Sequence, residues 1–418
     1  MNALKELFGG SLRQFGMLFV MVALALLFHG LTGGLVITPT NLMNLLNGNS
    51  YILVLAIGMV MVIIIGHIDL SVGSVAAFVG IVVAIAMRDW GIPWWVAILL
   101  GLALGAACGA WQGFWVAYMG IPGFIVTLAG YMFFRGANQW VGKSLTVPVP
   151  KTFQYMGAGY LPEWGPNTGM NNSTLLLGIA AIAVLVWMQL SQRRALSKIG
   201  ADVPPMSVTV VRLVLVTIVI GYLTWMFGTG RPGSSFPVPG LILAALVILY
   251  SYITSRTVFG RHIYAVGGNR LAAELSGVNT RRTYFLVMMN MSMLSAFAGM
   301  MFVGRSTASG PFDGVGWELD AIAAVFIGGA AVSGGVGTVV GSLVGGLVMA
   351  VLNNGLQLMS AGSDATQMIK GLVLLAAVAL DVWQKSQNKP SITGLLFPSR
   401  NKEPGETPAP ITTTTSSS

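Results

Sequence analysis

RTVFGRHIYAVGGNRLAAELSGVNTRR, residues 256–282, decides the fold by its contrast with what surrounds it. The segment gathers five arginines, a Gly-Gly-Asn turn and a short helix-forming run over 270–276, whereas nearly everything on either side is apolar enough to sit in a bilayer. Basic loops between membrane spans stay on the cytoplasmic side, so residues 255–283 are expected to face inward. Such a loop could merely set orientation or could be a docking surface; its length, glycines and helical pattern favour docking. Gly267, Gly268 and Asn269 read as a tight turn, because glycine tolerates positive φ at little cost. Leu271, Ala272, Ala273 and Leu275 then form the apolar contact face of a short helix. Arg270 and Glu274, four apart, are placed to pair on its exposed side.

The composition agrees. Of 418 residues, 55% are apolar and only 8% charged, against about a quarter charged in a soluble domain. The chain is therefore read as an all-α polytopic membrane protein in a lipid bilayer. Its net charge of +9 would elsewhere point to nucleic acid. Here the basic residues concentrate in segments assigned to the cytoplasm, so topology explains the charge and no nucleic-acid partner is implied. The single cysteine, Cys108, lies in an apolar run; it can form no intrachain disulfide and is read as packing.

A span needs roughly 20 apolar residues. The first run, 15–37, is read as a retained anchor with its N-terminus inside. The run 50–87 holds two spans, interrupted only by GHIDLS at 66–71. Further spans are expected at 95–118, 124–141, 173–190, 208–228, 238–254, 284–304, 319–332, 338–357 and 367–383, giving twelve segments with both termini cytoplasmic. Segment 319–332 is short and is read as a span or a re-entrant piece, which irregular backbone allows only inside protein or beside water. Residues 1–14 form a cytoplasmic N-terminus, 15–384 the transmembrane domain, and 385–418, ending TPAPITTTTSSS, a disordered cytoplasmic tail. Trp90, Trp94, Trp95, Trp140 and Trp164 fall near the outer boundaries, as interfacial aromatics should.

Gly101, Gly105, Gly109 and Gly113 recur every four residues, and Gly337, Gly341 and Gly345 repeat the device. Residues four apart share a helix face, so each set is read as a strip of bare backbone where another helix approaches closely. Asp69 lies within almost forty apolar residues, and an intramembrane acid is a functional hypothesis by default. The alternative is that Asp69, with Ser71 in the same DLSVGS turn, caps a helix starting at Leu70. Arg135 is the other ion expected at depth, with Asp69 or Asp320 as its candidate partners. The segment 136–144 resembles a phosphate loop but is one residue too long and ends a predicted helix. No HExxH, GxSxG or paired intramembrane aspartates occur, and three histidines leave little for zinc chemistry. No catalytic residue, metal or cofactor is assigned.

GHIDLSVGS at 66–74 and AVGGNRLAAELSGVN at 265–279 resemble the membrane permeases of bacterial monosaccharide ABC importers. PGFIVTLAGYMFFR at 122–135 and LDAIAAVFIGGAAVSGGVG at 319–337 resemble them too, in the family order. Length is similar to the xylose-type and multiple-monosaccharide subgroup, in which two extra spans, matching 173–228, are inserted into a ten-span core. The resemblance implies a homodimeric pore, two cytoplasmic ATPase subunits, a periplasmic sugar-binding protein and the bacterial inner membrane. It also implies that the ATPases dock on a short coupling helix. Its Glu-Ala-Ala-x-x-x-Gly pattern falls on Leu271, Ala272, Ala273, Glu274 and Gly277, with Leu271 standing where Glu is common and Gly277 ending the helix. The expected function is therefore the permease subunit of an ATP-driven importer of xylose or a related sugar, not itself an enzyme. An ion-coupled secondary transporter is the alternative; it would need its own ion site, and acids at depth are few.

Overall fold

The computed structural model describes residues 12–386 apart from 167, 199, 201–204 and 230–234. The start of the N-terminal segment and nearly all of the tail 385–418 lie outside the described residues. The chain is helical almost throughout. α1 (Leu12–Leu31), α2 (Pro39–Ile64), α3 (Val72–Asp89), α4 (Trp94–Ala117) and α5 (Gly123–Val141) lead to a short strand β1 (Val147–Pro148) and α6 (Lys151–Ala158). Then come α7 (Asn172–Lys198), α8 (Met206–Gly228), α9 (Val238–Arg256), α10 (Val258–Gly268), α11 (Arg270–Leu275) and α12 (Thr280–Ser306). Strand β2 (Ala308–Ser309), α13 (Trp317–Ile327), α14 (Val339–Leu358) and α15 (Ser363–Ser386) complete the chain. Among the described residues, eight helices are long and apolar enough to cross a membrane. The protein is a polytopic all-α membrane protein.

Two helices make the centre. In α2 every residue from Ile52 to Ile64 is buried, as a helix that is apolar all round requires. α12 packs along α2, α3 and α4, and its methionines Met288, Met291 and Met300 are buried. The glycines of α4 make the α12 contact. A Cβ added at Gly105 would lie 2.5 Å from the Ala296 Cβ and 2.9 Å from the Ser292 carbonyl oxygen. At Gly109 it would lie 2.6 Å from the Met289 Cα, and at Gly101 and Gly113 it would press on Met300 and Phe285. The strip is thus covered by a helix of the same chain. α7 and α8, by contrast, pack chiefly on each other and expose most of their apolar surface.

Of the boundaries that differ from the sequence reading, two have a clear physical reason in the packing. α2 begins at Pro39 rather than near Ser50. Thr38 caps it, its hydroxyl accepting from the Asn41 N–H at 3.3 Å, and Pro39 at the first turn suits a helix start. The asparagines that interrupt the hydropathy there are absorbed: Asn41 and Asn354 of α14 exchange side-chain hydrogen bonds at 2.8 and 2.9 Å. The segment expected over 319–332 is a helix only to Ile327. Its end, Gly328, lies against the backbone of Gly341 in α14, and residues 328–338 continue as irregular chain. That chain turns through Gly334 and Gly335 at φ 78° and 73°, and the Gly335 N–H donates to the Ile64 carbonyl at 2.8 Å. Gly345 likewise meets the Ala324 carbonyl, and Gly337 sits among Val60, Ile64 and Ala330.

The break between α2 and α3 is built on Asp69. The helix does not start at Leu70: Ser71 is its N-cap and Val72 its first residue. Asp69 is fully buried, and one of its carboxylate oxygens accepts from both the Ser71 N–H (2.8 Å) and the Ser71 hydroxyl (2.6 Å). The Ser71 hydroxyl in turn accepts from the Gln112 amide of α4 at 2.8 Å. Asp69 closes a turn two residues long, and Ser71 relays it to the neighbouring helix.

Two outcomes follow from this packing. Gly105→Leu and Gly109→Leu drive a side chain into α12 backbone and are expected to destabilise the fold by ~1–3 kcal/mol or more; unchanged thermal unfolding of both variants in detergent would contradict the contact. Asp69→Leu strands the Ser71 N–H and hydroxyl and should cost ~1–3 kcal/mol, whereas Asp69→Asn keeps an acceptor and should unfold close to wild type. Equal loss in the two would show that the charge, not the acceptor, holds the turn.

Candidate functional site

Two features at opposite ends of α2 bear on function. At the end carrying Ile64 lies the arginine-rich segment, folded as two short helices. Thr257 caps α10, accepting from the Gly260 N–H at 3.2 Å. Asn269 caps α11, accepting from the Ala272 N–H at 2.9 Å. Gly267 and Gly268 close α10 as ordinary helical residues, so the expected left-handed turn is not there. Gly267 is small for a different reason: a Cβ would fall on the Ile64 carbonyl oxygen. The left-handed residue is Gly277, at φ 83°, whose N–H donates back to the Glu274 carbonyl at 3.0 Å. Gly277 thus ends α11.

The expected contact face splits in two. Ala273 is buried in its own chain's core, packed with Ile263 and Val266 of α10, and offers nothing to a partner. Leu271 and Leu275 point the other way and are 67% and 83% exposed, with Ala272 exposed between them. A six-residue helix puts positions 271 and 275 on one face and position 273 on the opposite one. Reading the four apolar residues as a single face missed this. Glu274 receives the Arg270 guanidinium at 3.0 Å and the Thr280 hydroxyl at 2.7 Å. These bonds, Thr280's first, hold its carboxyl below the usual range. Arg270 also lies over the Tyr284 ring, 5.5 Å from its centre, and Tyr284 meets the His67 ring edge-on at 4.9 Å. The segment is therefore tied to α12 and to the turn between α2 and α3.

At the other end of α2 a polar cleft of about 1090 Å³ opens between α2, α13, α14 and α15, with Ala158 and Tyr160 at its rim. Asp320 sits there, its carboxylate 2.9 Å from the Lys370 ammonium of α15. Arg135 does not pair with Asp69 or Asp320, as the sequence reading allowed. Asp320 is taken by Lys370 and Asp69 by Ser71, while Arg135 donates to the Asp313 carbonyl oxygen at 2.5 Å. The cause is topological: Arg135 on α5 faces the loop before α13, not the cleft. Sequence reasoning missed Lys370 and the asparagines of α2 and α14. Their signal was the spacing of Asn41, Asn44 and Asn47 (every third residue, one helix face) together with the Asn353–Asn354 doublet.

The family described as branched-chain amino acid transport system / permease component matches residues 41–378. The chain is 38% identical over 378 residues to the xylose transport system permease protein of Haemophilus influenzae, covering 90% of this chain and 98% of that protein. It is 37% identical over 372 residues to the Escherichia coli xylose transport system permease protein, covering 89% of this chain and 92% of that one. The ribose import permease protein of Escherichia coli is 33% identical over 344 residues, 82% of this chain and 86% of the relative. No solved structure matches the chain. A match running from the asparagines of α2 into α15, supported by relatives of the same length and kind, shows that the chain belongs to the branched-chain amino acid transport system / permease component family.

Proposed function

We propose that this chain is the membrane-spanning permease subunit of an ATP-driven monosaccharide importer in the bacterial inner membrane, with xylose or a closely related sugar as substrate. The observation that carries the reading is the end-to-end similarity to two xylose permeases, joined to a short helix that projects two exposed leucines at one end of the molecule. The chain carries no catalytic site of its own in this reading. A separate cytoplasmic ATPase binds the α10–α11 surface, a periplasmic sugar-binding protein delivers substrate, and two copies of the chain form the pore.

The topology that goes with it has twelve passes and both termini inside. The eight long apolar helices contribute eight. α1, α5 and α15 add three, and α13 with the irregular chain 328–338 makes one more. Irregular backbone in a membrane protein is allowed where it packs inside protein or beside water; here Gly328, Gly329, Ala330, Ala331, Gly334 and Gly337 are buried, while Val332, Ser333, Val336 and Thr338 are exposed. Arg193, Arg194 and Lys198 then fall on the same side as the arginine-rich segment, in accord with the distribution of basic residues at cytoplasmic loops.

Leu271 and Leu275 are the residues to change. Leu275→Arg places a charge where an apolar partner pocket must close, and should reduce ATPase co-purification and sugar uptake at least tenfold while leaving membrane expression normal. Wild-type levels of both would remove α11 from the coupling surface. Ala273→Arg should instead misfold, since Ala273 is buried in its own chain; normal expression would contradict that placement. For topology, a cysteine at Pro166 should react with an impermeant maleimide on intact cells, and one at Ser197 only after permeabilisation. The reverse pattern would put the docking surface in the wrong compartment.

A further inference from the structure

The polar cleft at the far end of α2 is separate from the coupling surface, and its lining is rich in amides for an otherwise apolar protein. We infer that it is a monosaccharide-binding site within the permease itself, a station that receives sugar on the side opposite the coupling helix. The inference rests on the proposed function for the direction of travel, but its chemistry is read from the cleft alone.

Three observations carry it. First, eight asparagine and glutamine side chains line the cleft, from α2 at one wall to α14 and α15 at the other. A neutral amide presents a donor and an acceptor together, which is what a ring of hydroxyl groups needs. Second, two of these side chains carry an oxygen that lacks a protein partner. The side-chain oxygens of Asn47 and Asn353 are buried and accept no hydrogen bond, although the Asn47 amide nitrogen donates to the Tyr160 hydroxyl at 2.9 Å. Buried polar atoms are normally satisfied, so two unpaired acceptors on side chains that line the cleft mark amides that the protein alone does not satisfy. Third, the cleft has an aromatic floor. Tyr51 and Trp317 line it, their ring centres 4.5 Å apart, with Phe302 behind both at 5.0 and 4.6 Å. A pyranose ring has one face of C–H groups and a rim of hydroxyls, and an aromatic floor with amide walls matches both.

The charges fit the same ligand. Asp320 is neutralised by Lys370, and the exposed Arg305 lies on the wall over Gly48. Sugar hydroxyls accept from a guanidinium as readily as from an amide. A branched-chain amino acid, by contrast, needs a carboxylate partner, an ammonium partner and an apolar pocket for its side chain. Asp320 is occupied by Lys370, so the ammonium partner is missing, and the apolar lining residues Leu45, Ile52, Val315 and Leu358 share the walls with the amides. At about 1090 Å³ the cleft is slightly larger than ordinary ligand pockets, ~300–1,000 Å³. That size suits a sugar with its water shell held briefly rather than tightly, as a pathway requires.

The test uses the full-length chain in lipid nanodiscs. Cys108 is buried and serves as a silent background. Single cysteines replace Ala158 at the rim and Ala361 beside α15, and their rate of reaction with an impermeant maleimide is measured in saturating xylose, leucine or osmotically matched betaine. Xylose is expected to slow labelling at both positions at least threefold while leucine and betaine do not. Adding Asn353→Ala should abolish most of that protection, and Asn353→Gln should restore part of it. Equal rates in xylose and betaine at both positions would overturn the site, as would protection by leucine but not xylose. If Asn353→Ala fails to express, the xylose-against-betaine comparison in the single-cysteine chains decides by itself. ATP-dependent xylose uptake by the complete transporter is measured separately. Uptake without protection refutes the cleft but not the proposed function; protection without uptake refutes the function but not the cleft.

Discussion

The Ile64 carbonyl at the end of α2 is the point on which three parts of the molecule meet. It accepts the Gly335 N–H at 2.8 Å, and it occupies the space where any side chain at position 267 would go. The first contact fixes the irregular chain between α13 and α14; the second seats the arginine-rich helices. Backbone groups inside an apolar protein must be satisfied from within, so a helix that ends at depth needs such a partner. Because α2 is buried along most of its length and continues to the asparagine-lined cleft, a displacement of α10 or α11 has a stiff element through which to reach the other end. Conformational change can be driven only by differential binding to two states. A partner that holds α10 and α11 differently before and after nucleotide hydrolysis would act on this joint first.

Three sets of polar groups are satisfied across neighbouring helices, and they help explain why hydropathy alone misreads the ends of the helices. Asn41 and Asn354 satisfy each other across α2 and α14, Asp320 and Lys370 across α13 and α15, and Asp69, Ser71 and Gln112 across α3 and α4. A buried ion pair gives little net stability, because desolvation offsets the attraction, but breaking it by removing one partner is costly. Such pairs fix register between helices whose apolar faces would otherwise slide. In this molecule they also cluster near the two functional ends rather than along the middle.

Much of this was legible in the residues. The apolar runs coincide with helices, the four-residue glycine spacing of α4 meets a helix backbone, and Arg270 and Glu274 pair as their spacing dictates. What escaped was direction and partner choice. Nothing in LAAEL says which side faces the protein, and only the packing against α10 turns Ala273 inward and leaves Leu271 and Leu275 outside. Nothing local assigns Asp320 to Lys370 rather than Arg135, fifty residues in one direction against a much longer separation in the other. Gly267 looked like a turn residue and is instead a point of close approach. The asparagines of the cleft fell between the expected runs 15–37 and 50–87, where the sequence reading placed no helix, and their partners on α14 became evident only from the packing.

The claim that energy enters from a separate ATPase, and not from an ion gradient handled by this chain, is tested most directly by transport in proteoliposomes. The chain is reconstituted with and without its ATPase and sugar-binding protein, and labelled xylose uptake is measured with ATP or with an imposed proton or sodium gradient alone. Accumulation is expected only with ATP and both partners present, and none with either gradient. Accumulation driven by a gradient through the chain alone would contradict the account and make it a secondary transporter.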